Sequence, residues 1–225
     1  MEDGTRHLKQ QGGQRVRREE ISTIKGFVFD CDGVLINSKA ANVRFYNLIL
    51  EELGLPRMSP AGEAFVHAHT VQKSIAHIVP ESLLDKALEA KKSIPYSRVL
   101  ESIRLEPGIS VCLRCLQGAG FPCAVNTNRT DTMELILDKF DLNGYFHPVV
   151  TSQDVRRPKP HPESLELILD IWKLSPDEVV FIGDSEVDEQ TARAAGTLFW
   201  AYNNAGLAAD RHLREHGELA AALPP

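Results

Sequence analysis

The chain has 225 residues, of which 43% are hydrophobic and 25% are charged. The length suits one domain, or one domain with an insertion, and the composition is that of an ordinary globular protein. The 25 Lys and Arg residues are outnumbered by 31 Asp and Glu residues, which gives a formal net charge of −6. Because nucleic acids and anionic membranes are bound through basic surfaces, we expect neither as a partner. A small anionic substrate remains compatible with this balance if the positive charge is local.

The cysteines and the N-terminus indicate the cellular compartment. The four cysteines, at positions 31, 112, 115 and 123, do not form a secreted disulfide framework, and the Cys-x-x-Cys pair at 112 and 115 has no second ligand pair beside it. No apolar run approaches the roughly 18 residues of a membrane span, and residues 1–20 lack the apolar segment of a signal peptide. We therefore expect a cytoplasmic protein with a mobile tail over residues 1–22.

Four short apolar runs predict buried strands. They cover residues 25–29, 121–126, 148–151 and 179–182, and each is followed by a helical stretch. Strands of near-continuous hydrophobicity that alternate with helices are typical of an α/β fold, in which helices cover both faces of a parallel sheet. In such a sheet, ligands bind at the carboxyl ends of the strands, and here polar residues follow the strands directly.

The long stretch between the first two predicted strands reads as helices alone. We expect a helix that begins at Asn37 or Ser38 and ends at Gly54, followed by helices over about 61–79, 81–93 and 95–104. A helical bundle inserted after the first strand would cover that strand's carboxyl end. The predicted organisation is thus a core formed by residues 23–36 and 106–225, with a helical cap over residues 37–105.

Acidic residues follow two of the predicted strands. Asp30 and Asp32 come after the first strand, with Gly33 allowing a sharp turn, and Asp184 and Asp188 follow the strand that ends near Gly183. Gly183 is expected to serve the tight turn into the second acidic loop. Carboxylates this close together raise one another's pKa unless a cation neutralises them, and Mg²⁺ characteristically binds carboxylates together with phosphate oxygens.

Hydrogen-bond donors and a positively charged side chain follow the other two strands. Thr127 and Asn128 offer a hydroxyl and backbone N–H groups to a phosphate, and Lys159, between two prolines, offers an ammonium. Carboxylates, a metal and a lysine in one crevice suit phosphoryl transfer. One Asp attacks phosphorus, the other protonates the leaving oxygen and later activates water, and cations neutralise the transferring group.

These motifs, in this order, resemble those of the haloacid dehalogenase-like hydrolase superfamily. The resemblance covers about residues 24–205, and the helical insertion is similar to that of the phosphoglycolate phosphatase and β-phosphoglucomutase branch. It implies a Rossmann-like core with a helical cap, dependence on Mg²⁺, and a small phosphorylated metabolite as substrate.

The resemblance also implies a role for each motif residue. Asp30 matches the nucleophile, which is also a metal ligand, and Asp32 matches the general acid/base, whose main-chain carbonyl binds the metal. Lys159 matches the lysine that holds the nucleophile and the phosphate.

The second and fourth motifs supply the remaining roles. Thr127 and the Asn128 amide match the phosphate-binding motif, and Asp184 matches the side-chain metal ligand. Asp188 is expected to orient metal-bound water or Lys159.

Two alternatives to a phosphatase remain open. A phosphomutase shares both first-motif acids and the cap, but β-phosphoglucomutase has a histidine ten residues after the second Asp, where this chain has Asn42. A non-catalytic binding protein with the same fold would be supported by a missing motif residue, and none is missing. Cationic candidates for holding a second anionic group of the substrate are Arg44, Arg57, Lys73, Lys91 and Lys92.

Overall fold

The computed structural model describes residues 21–68 and 71–223. The strands are β1 (Gly26–Phe29), β2 (Ile36–Asn37), β3 (Arg104–Leu105), β4 (Cys123–Asn126), β5 (Phe146–Val150), β6 (Val179–Gly183), β7 (Leu198–Tyr202) and β8 (Arg211–Leu213). The helices are α1 (Lys39–Glu52), α2 (Pro60–Ala68), α3 (Val71–Ile78), α4 (Leu84–Ser93), α5 (Ser97–Leu100), α6 (Ile109–Gly118), α7 (Met133–Lys139), α8 (Glu163–Trp172), α9 (Glu186–Ala195) and α10 (His216–Ala220).

Six strands form one parallel sheet in the order β5-β4-β1-β6-β7-β8. The chain order reverses at β1, because β4 lies on one side of this strand and β6 on the other. A crevice opens at such a reversal, outside the carboxyl ends of the central strands. The predicted α/β fold, with a Rossmann-like parallel sheet, is confirmed.

Helices pack on both faces of the sheet because successive side chains of each strand point to opposite sides. Phe27 and Phe29 belong to one buried apolar cluster, which includes side chains of α6, α7 and α10. Val28 belongs to a second cluster, together with side chains of α8 and α9. Because strands buried on both faces need apolar residues at every position, β1, β4 and β6 appear in the sequence as the continuous runs that predicted them.

The helices α1–α5 lie between two short strands that pair with each other. Ile36 of β2 pairs antiparallel with Leu105 of β3, and the Glu106 N–H donates to the Leu35 carbonyl at 2.9 Å. The chain therefore enters and leaves the helical segment at two adjacent points, next to β1, that are hydrogen-bonded to each other. We call residues 38–103 the helical insertion.

The structure differs from the sequence-based prediction in several elements. The helix expected over 95–104 is short, because α5 covers only Ser97–Leu100 and the chain then pairs with β2. Strands β7 and β8 were not predicted. Ile21 is buried in the core, so the ordered chain extends into the end of the expected tail, while residues 1–20 lie outside the described residues. None of the helices in the described part of the chain has the length and apolar character of a membrane span.

His216, at the start of α10, is a buried histidine that contacts the chain just before β2. Its Nε2 lies 2.7 Å from the Val34 carbonyl, and its ring stacks on Tyr202 with centroids 4.3 Å apart. Burial lowers the pKa of His216 from 6.5 to about 4. The folded protein therefore holds this ring neutral at pH values where the unfolded chain protonates it.

The buried ring predicts a loss of stability in mild acid. Between pH 6.5 and pH 4 the unfolded state binds the extra proton, so stability is present above pH 6.5 and is lost as the pH falls. We expect His216 to contribute about 2 kcal/mol to the decrease in unfolding free energy between pH 7 and pH 5. Urea titrations of the wild type and of His216→Gln measure this difference. His212→Gln, which makes the same substitution at an exposed site, is the control.

Candidate active site

The carboxyl ends of the central strands bring the predicted motifs to one crevice. Asp30 follows β1, Thr127 follows β4, and Asp184 follows β6. Lys159 reaches the same place from the loop after β5. The adjacency of β4, β1 and β6 thus converts residues that are far apart in sequence into one cluster.

Lys159 forms two buried ion pairs at the centre of this cluster. Its Nζ lies 2.8 Å from Asp30 Oδ1 and 2.6 Å from Asp188 Oδ1, and its side chain is only 3% exposed. The carbonyl of Lys159 accepts a hydrogen bond from Asn128 Nδ2 at 3.0 Å. Although burial alone would lower the pKa of the ammonium, Asp30 and Asp188 raise it, so Lys159 stays protonated.

Asp188 is held by the start of α9. Ser185 is the N-cap, and its side chain accepts from the Asp188 N–H, while Asp188 Oδ2 accepts from the Ser185 hydroxyl at 2.6 Å and from the Ser185 N–H at 3.2 Å. This reciprocal arrangement is a capping box. Since both oxygens of Asp188 have protein partners, its side chain is fixed against Lys159.

Three carboxylates form a group suited to a divalent cation. Oxygens of Asp30, Asp184 and Asp188 lie within 4.8 Å of one another. Burial, with Asp188 and Asp32 nearby, raises the pKa of Asp30 to about 8, despite the opposing effect of Lys159. Burial and Asp188 raise the pKa of Asp184 to about 6. Neighbouring carboxylates thus add to the effect of burial on both pKa values. Hard oxygen ligands of this kind fit Mg²⁺.

The two glycines of the acidic loops are required for space. Gly33 has φ +80°, and a Cβ at this position would lie 2.0 Å from Asp184 Oδ2. Gly183 does not have a positive φ, but a Cβ there would lie 2.4 Å from Asp188 Cβ. The close approach of Asp188 is thus a reason for glycine at position 183 that the sequence did not show, and the expected tight turn there stays a prediction.

The loop after β4 supplies donors at the edge of the crevice. Thr127 is buried, its N–H donates to the Val150 carbonyl at 3.0 Å, and its Oγ1 accepts from the Arg129 N–H at 3.1 Å. The side-chain amide of Asn128 donates a hydrogen bond to the Lys159 carbonyl. The hydroxyl hydrogen of Thr127 and the backbone of Asn128 are the groups that this loop can offer to a phosphate.

Asp32 lies apart from the three-carboxylate group. Its side chain is 41% exposed and forms a two-pronged ion pair with Arg129, Nε to Oδ2 and Nη2 to Oδ1, both at 2.6 Å. The carboxylate of Asp32 is thus held by an arginine that sequence reasoning did not single out. The only sequence signal for Arg129 is its position directly after Thr127 and Asn128.

A cleft of about 970 Å³ lies between the sheet edge and the helical insertion. Asp30, Asp32 and Asp184 line its floor. Its wall from the insertion includes Phe45, Val71 and Val99, with Asn42 and His67, whose Nδ2 and Nδ1 atoms lie 3.3 Å apart. Among the described residues, Lys39 and Arg129 are the lysine and arginine that line the cleft, and the five candidates from the sequence do not line it.

Fold and site together define a doubly wound α/β enzyme with an acidic, lysine-paired crevice at its topological switch point. The family model described as haloacid dehalogenase-like hydrolase matches residues 27–202. The chain belongs to this family.

Curated and structural relatives agree with this assignment. The phosphoglycolate phosphatase of Escherichia coli O157:H7 is 28% identical over 216 residues, which covers 82% of this chain and 84% of the relative. The crystal structure of a HAD-superfamily hydrolase of subfamily IA from Geobacter sulfurreducens superposes with a TM-score of 0.84 at 35% identity, covering 90% of this chain and 97% of that chain.

A more distant structure shows the same fold. CbbY from Rhodobacter sphaeroides, solved in complex with phosphate, has a TM-score of 0.70 at 23% identity, covering 89% of this chain and 99% of that chain. The prediction of a haloacid dehalogenase-like phosphoric monoester hydrolase is confirmed at the level of the enzyme class.

Proposed function

We propose that the protein is a Mg²⁺-dependent phosphatase that hydrolyses a small phosphorylated metabolite through an aspartyl-phosphate on Asp30. The observation that carries the proposal is the buried Lys159 ammonium between Asp30 and Asp188, beside Asp184. This arrangement fixes one oxygen of Asp30 and leaves the carboxylate at the floor of an open cleft. It is the geometry that a positioned nucleophile needs.

Side chains of Asp30 and Asp184 and the main-chain carbonyl of Asp32 would hold the metal. Bound there, Mg²⁺ would neutralise the acids and the phosphoryl oxygens, which lowers the repulsion between an anionic nucleophile and an anionic substrate. The phosphate would also accept hydrogen bonds from Thr127 and the Asn128 backbone. Lys159, paired with Asp30, adds a fixed positive charge beside the nucleophile.

The reaction then proceeds in two steps. In the first, an oxygen of Asp30 attacks phosphorus, the bond from phosphorus to the leaving oxygen breaks, and that oxygen takes a proton from Asp32. In the second, Asp32 takes a proton from water, whose oxygen attacks phosphorus and releases Asp30 and inorganic phosphate. Asp32 thus ends each cycle in the protonation state in which it began.

The cleft supports a proposal about the substrate class. We propose a phosphoglycolate-like or sugar-phosphate-like metabolite, with residues 37–105 acting as a cap that excludes water during the first transfer. The cleft wall includes Asn42, His67 and Phe45, and this mixture of polar and apolar side chains supports a small polar metabolite as the substrate. A cytoplasmic location is supported by the four cysteines, all of which are free thiols.

A panel of phosphorylated metabolites, assayed for phosphate release with and without Mg²⁺, tests the proposal. We expect release that requires Mg²⁺ for at least one sugar phosphate or phosphoglycolate. β-Glucose 1-phosphate is assayed with and without the 1,6-bisphosphate, and formation of glucose 6-phosphate faster than phosphate release would establish the mutase alternative instead. The absence of turnover across the panel would favour a non-catalytic binding protein.

The contact between Gly33 and Asp184 predicts a specific effect on metal use. Gly33→Ala and Gly54→Ala both place alanine at a positive φ, of +80° and +67°, but only the former meets another side chain. We expect each variant to lose about 1–2 kcal/mol of unfolding free energy. Gly33→Ala alone should raise the Mg²⁺ concentration for half-maximal turnover by about tenfold or more, because Asp184 is displaced. Equal Mg²⁺ dependence in both variants would contradict this role of Gly33.

A further inference from the structure

The loop after β4 places a partly buried arginine between the sheet edge and the helical insertion. Arg129 belongs to this loop, and its side chain is 14% exposed. Its backbone is fixed to the core, because its N–H donates to Thr127 Oγ1 at 3.1 Å and its carbonyl accepts from both the N–H and the hydroxyl of Ser152, at 3.0 and 3.1 Å. The backbone that carries the guanidinium is therefore held in place by hydrogen bonds.

The guanidinium uses four of its five N–H groups in three directions. Nε and Nη2 donate to the two oxygens of Asp32, both at 2.6 Å. Nη1 donates to the Tyr96 hydroxyl and to Thr132 Oγ1, the latter at 3.1 Å. A planar fork that binds both oxygens of a carboxylate sets the plane of that carboxylate as well as its distance.

Tyr96 connects this arrangement to the helical insertion. It lies directly before α5 and packs against the apolar cluster that includes the insertion. Burial raises the pKa of Tyr96, so its hydroxyl stays neutral and accepts from Arg129. Tyr96 is thereby the residue through which the helical insertion contacts the guanidinium that holds Asp32.

We propose that Arg129 is a positioning residue, which aims the Asp32 carboxylate at the leaving group and ties that orientation to the helical insertion through Tyr96. This inference rests on the proposed function, since it assigns Arg129 a part in proton transfer to the leaving oxygen. A side chain 41% exposed would otherwise sample several rotamers, and acid catalysis requires the proton within hydrogen-bond reach of its acceptor.

The dependence on leaving group distinguishes positioning of the acid from a structural role. p-Nitrophenolate leaves readily without a proton, whereas phenolate, the conjugate base of a much weaker acid, needs one. In Arg129→Met we expect kcat/KM for phenyl phosphate to fall about tenfold more than kcat/KM for p-nitrophenyl phosphate. Arg129→Lys, which keeps the charge but not the fork, should show nearly the same selective loss.

Two further variants complete the experiment. Tyr96→Phe, which removes only the hydroxyl, should give a selective loss in the same direction but smaller. Arg193→Met, at an exposed arginine paired with Glu189 on α9, is the matched control and should leave both rates unchanged.

The outcomes separate this inference from the proposed function. Equal losses for both aryl phosphates in Arg129→Met, or a gain for phenyl phosphate, would overturn the positioning role while the wild-type activity leaves the phosphatase assignment intact. A wild type without Mg²⁺-dependent turnover of either aryl phosphate or the metabolite panel would refute the proposed function, and the inference with it.

Discussion

Replacing Asp30 with Asn is expected to abolish turnover while leaving the fold at least as stable as that of the wild type. The amide cannot form the phosphoryl ester, so phosphate release should fall by at least about 10⁴-fold. Stability should persist because burial disfavours the charged form of Asp30, as its pKa of about 8 indicates. Lys159 also keeps Asp188 as its partner in the variant.

Mass spectrometry of acid-quenched protein provides the direct measurement. The wild type should carry one phosphoryl group on Asp30 during turnover, and Asp30→Asn should carry none. Asp170→Asn, at an exposed acid paired with Lys173, is the matched control and should retain both activity and labelling. Unchanged phosphate release in Asp30→Asn would refute the nucleophile assignment. A fall in melting temperature of the variant would contradict the argument about burial.

The central strands and the motifs at their ends were predictable from sequence for one physical reason. β1, β4 and β6 are buried on both faces, so each is a continuous apolar run that ends where polar residues begin. Because parallel strands bring their carboxyl ends to one edge, the chemistry of the site followed from the residues after each run.

Elements stabilised by distant partners were not predictable in the same way. β3 has two residues and exists because Leu105 pairs with Ile36, and β8 is only three residues long, too short to show a pattern. The residues that line the cleft from the helical insertion were also missed, since the packing of α1–α5 decides which side chains face the crevice. Arg129 illustrates the same limit, because its partner Asp32 is 97 positions away in sequence.

Removing the charge of Lys159 is expected to be the most destabilising of these changes. Lys159→Met leaves Asp30 and Asp188 buried without their cation, and breaking a buried ion pair in this way typically costs about 3–5 kcal/mol. Turnover should be lost as well, because neither the nucleophile nor the transferring phosphate is then neutralised on that side. Lys173→Met, which removes an exposed lysine from a surface pair, should change the unfolding free energy by less than about 0.5 kcal/mol.

A second substitution separates the charge imbalance from a loss of packing. In Lys159→Met/Asp188→Asn the carboxylate of Asp188 is gone, so we expect the double variant to be more stable than Lys159→Met alone, by about 1–3 kcal/mol. Mg²⁺ should stabilise Lys159→Met more than it stabilises the wild type, since a cation bound by Asp30 and Asp184 would supply the missing positive charge. Urea titrations of the three proteins, with and without Mg²⁺, measure both effects. If the double variant were as unstable as Lys159→Met, packing of the lysine stem, and not its charge, would hold this part of the crevice together.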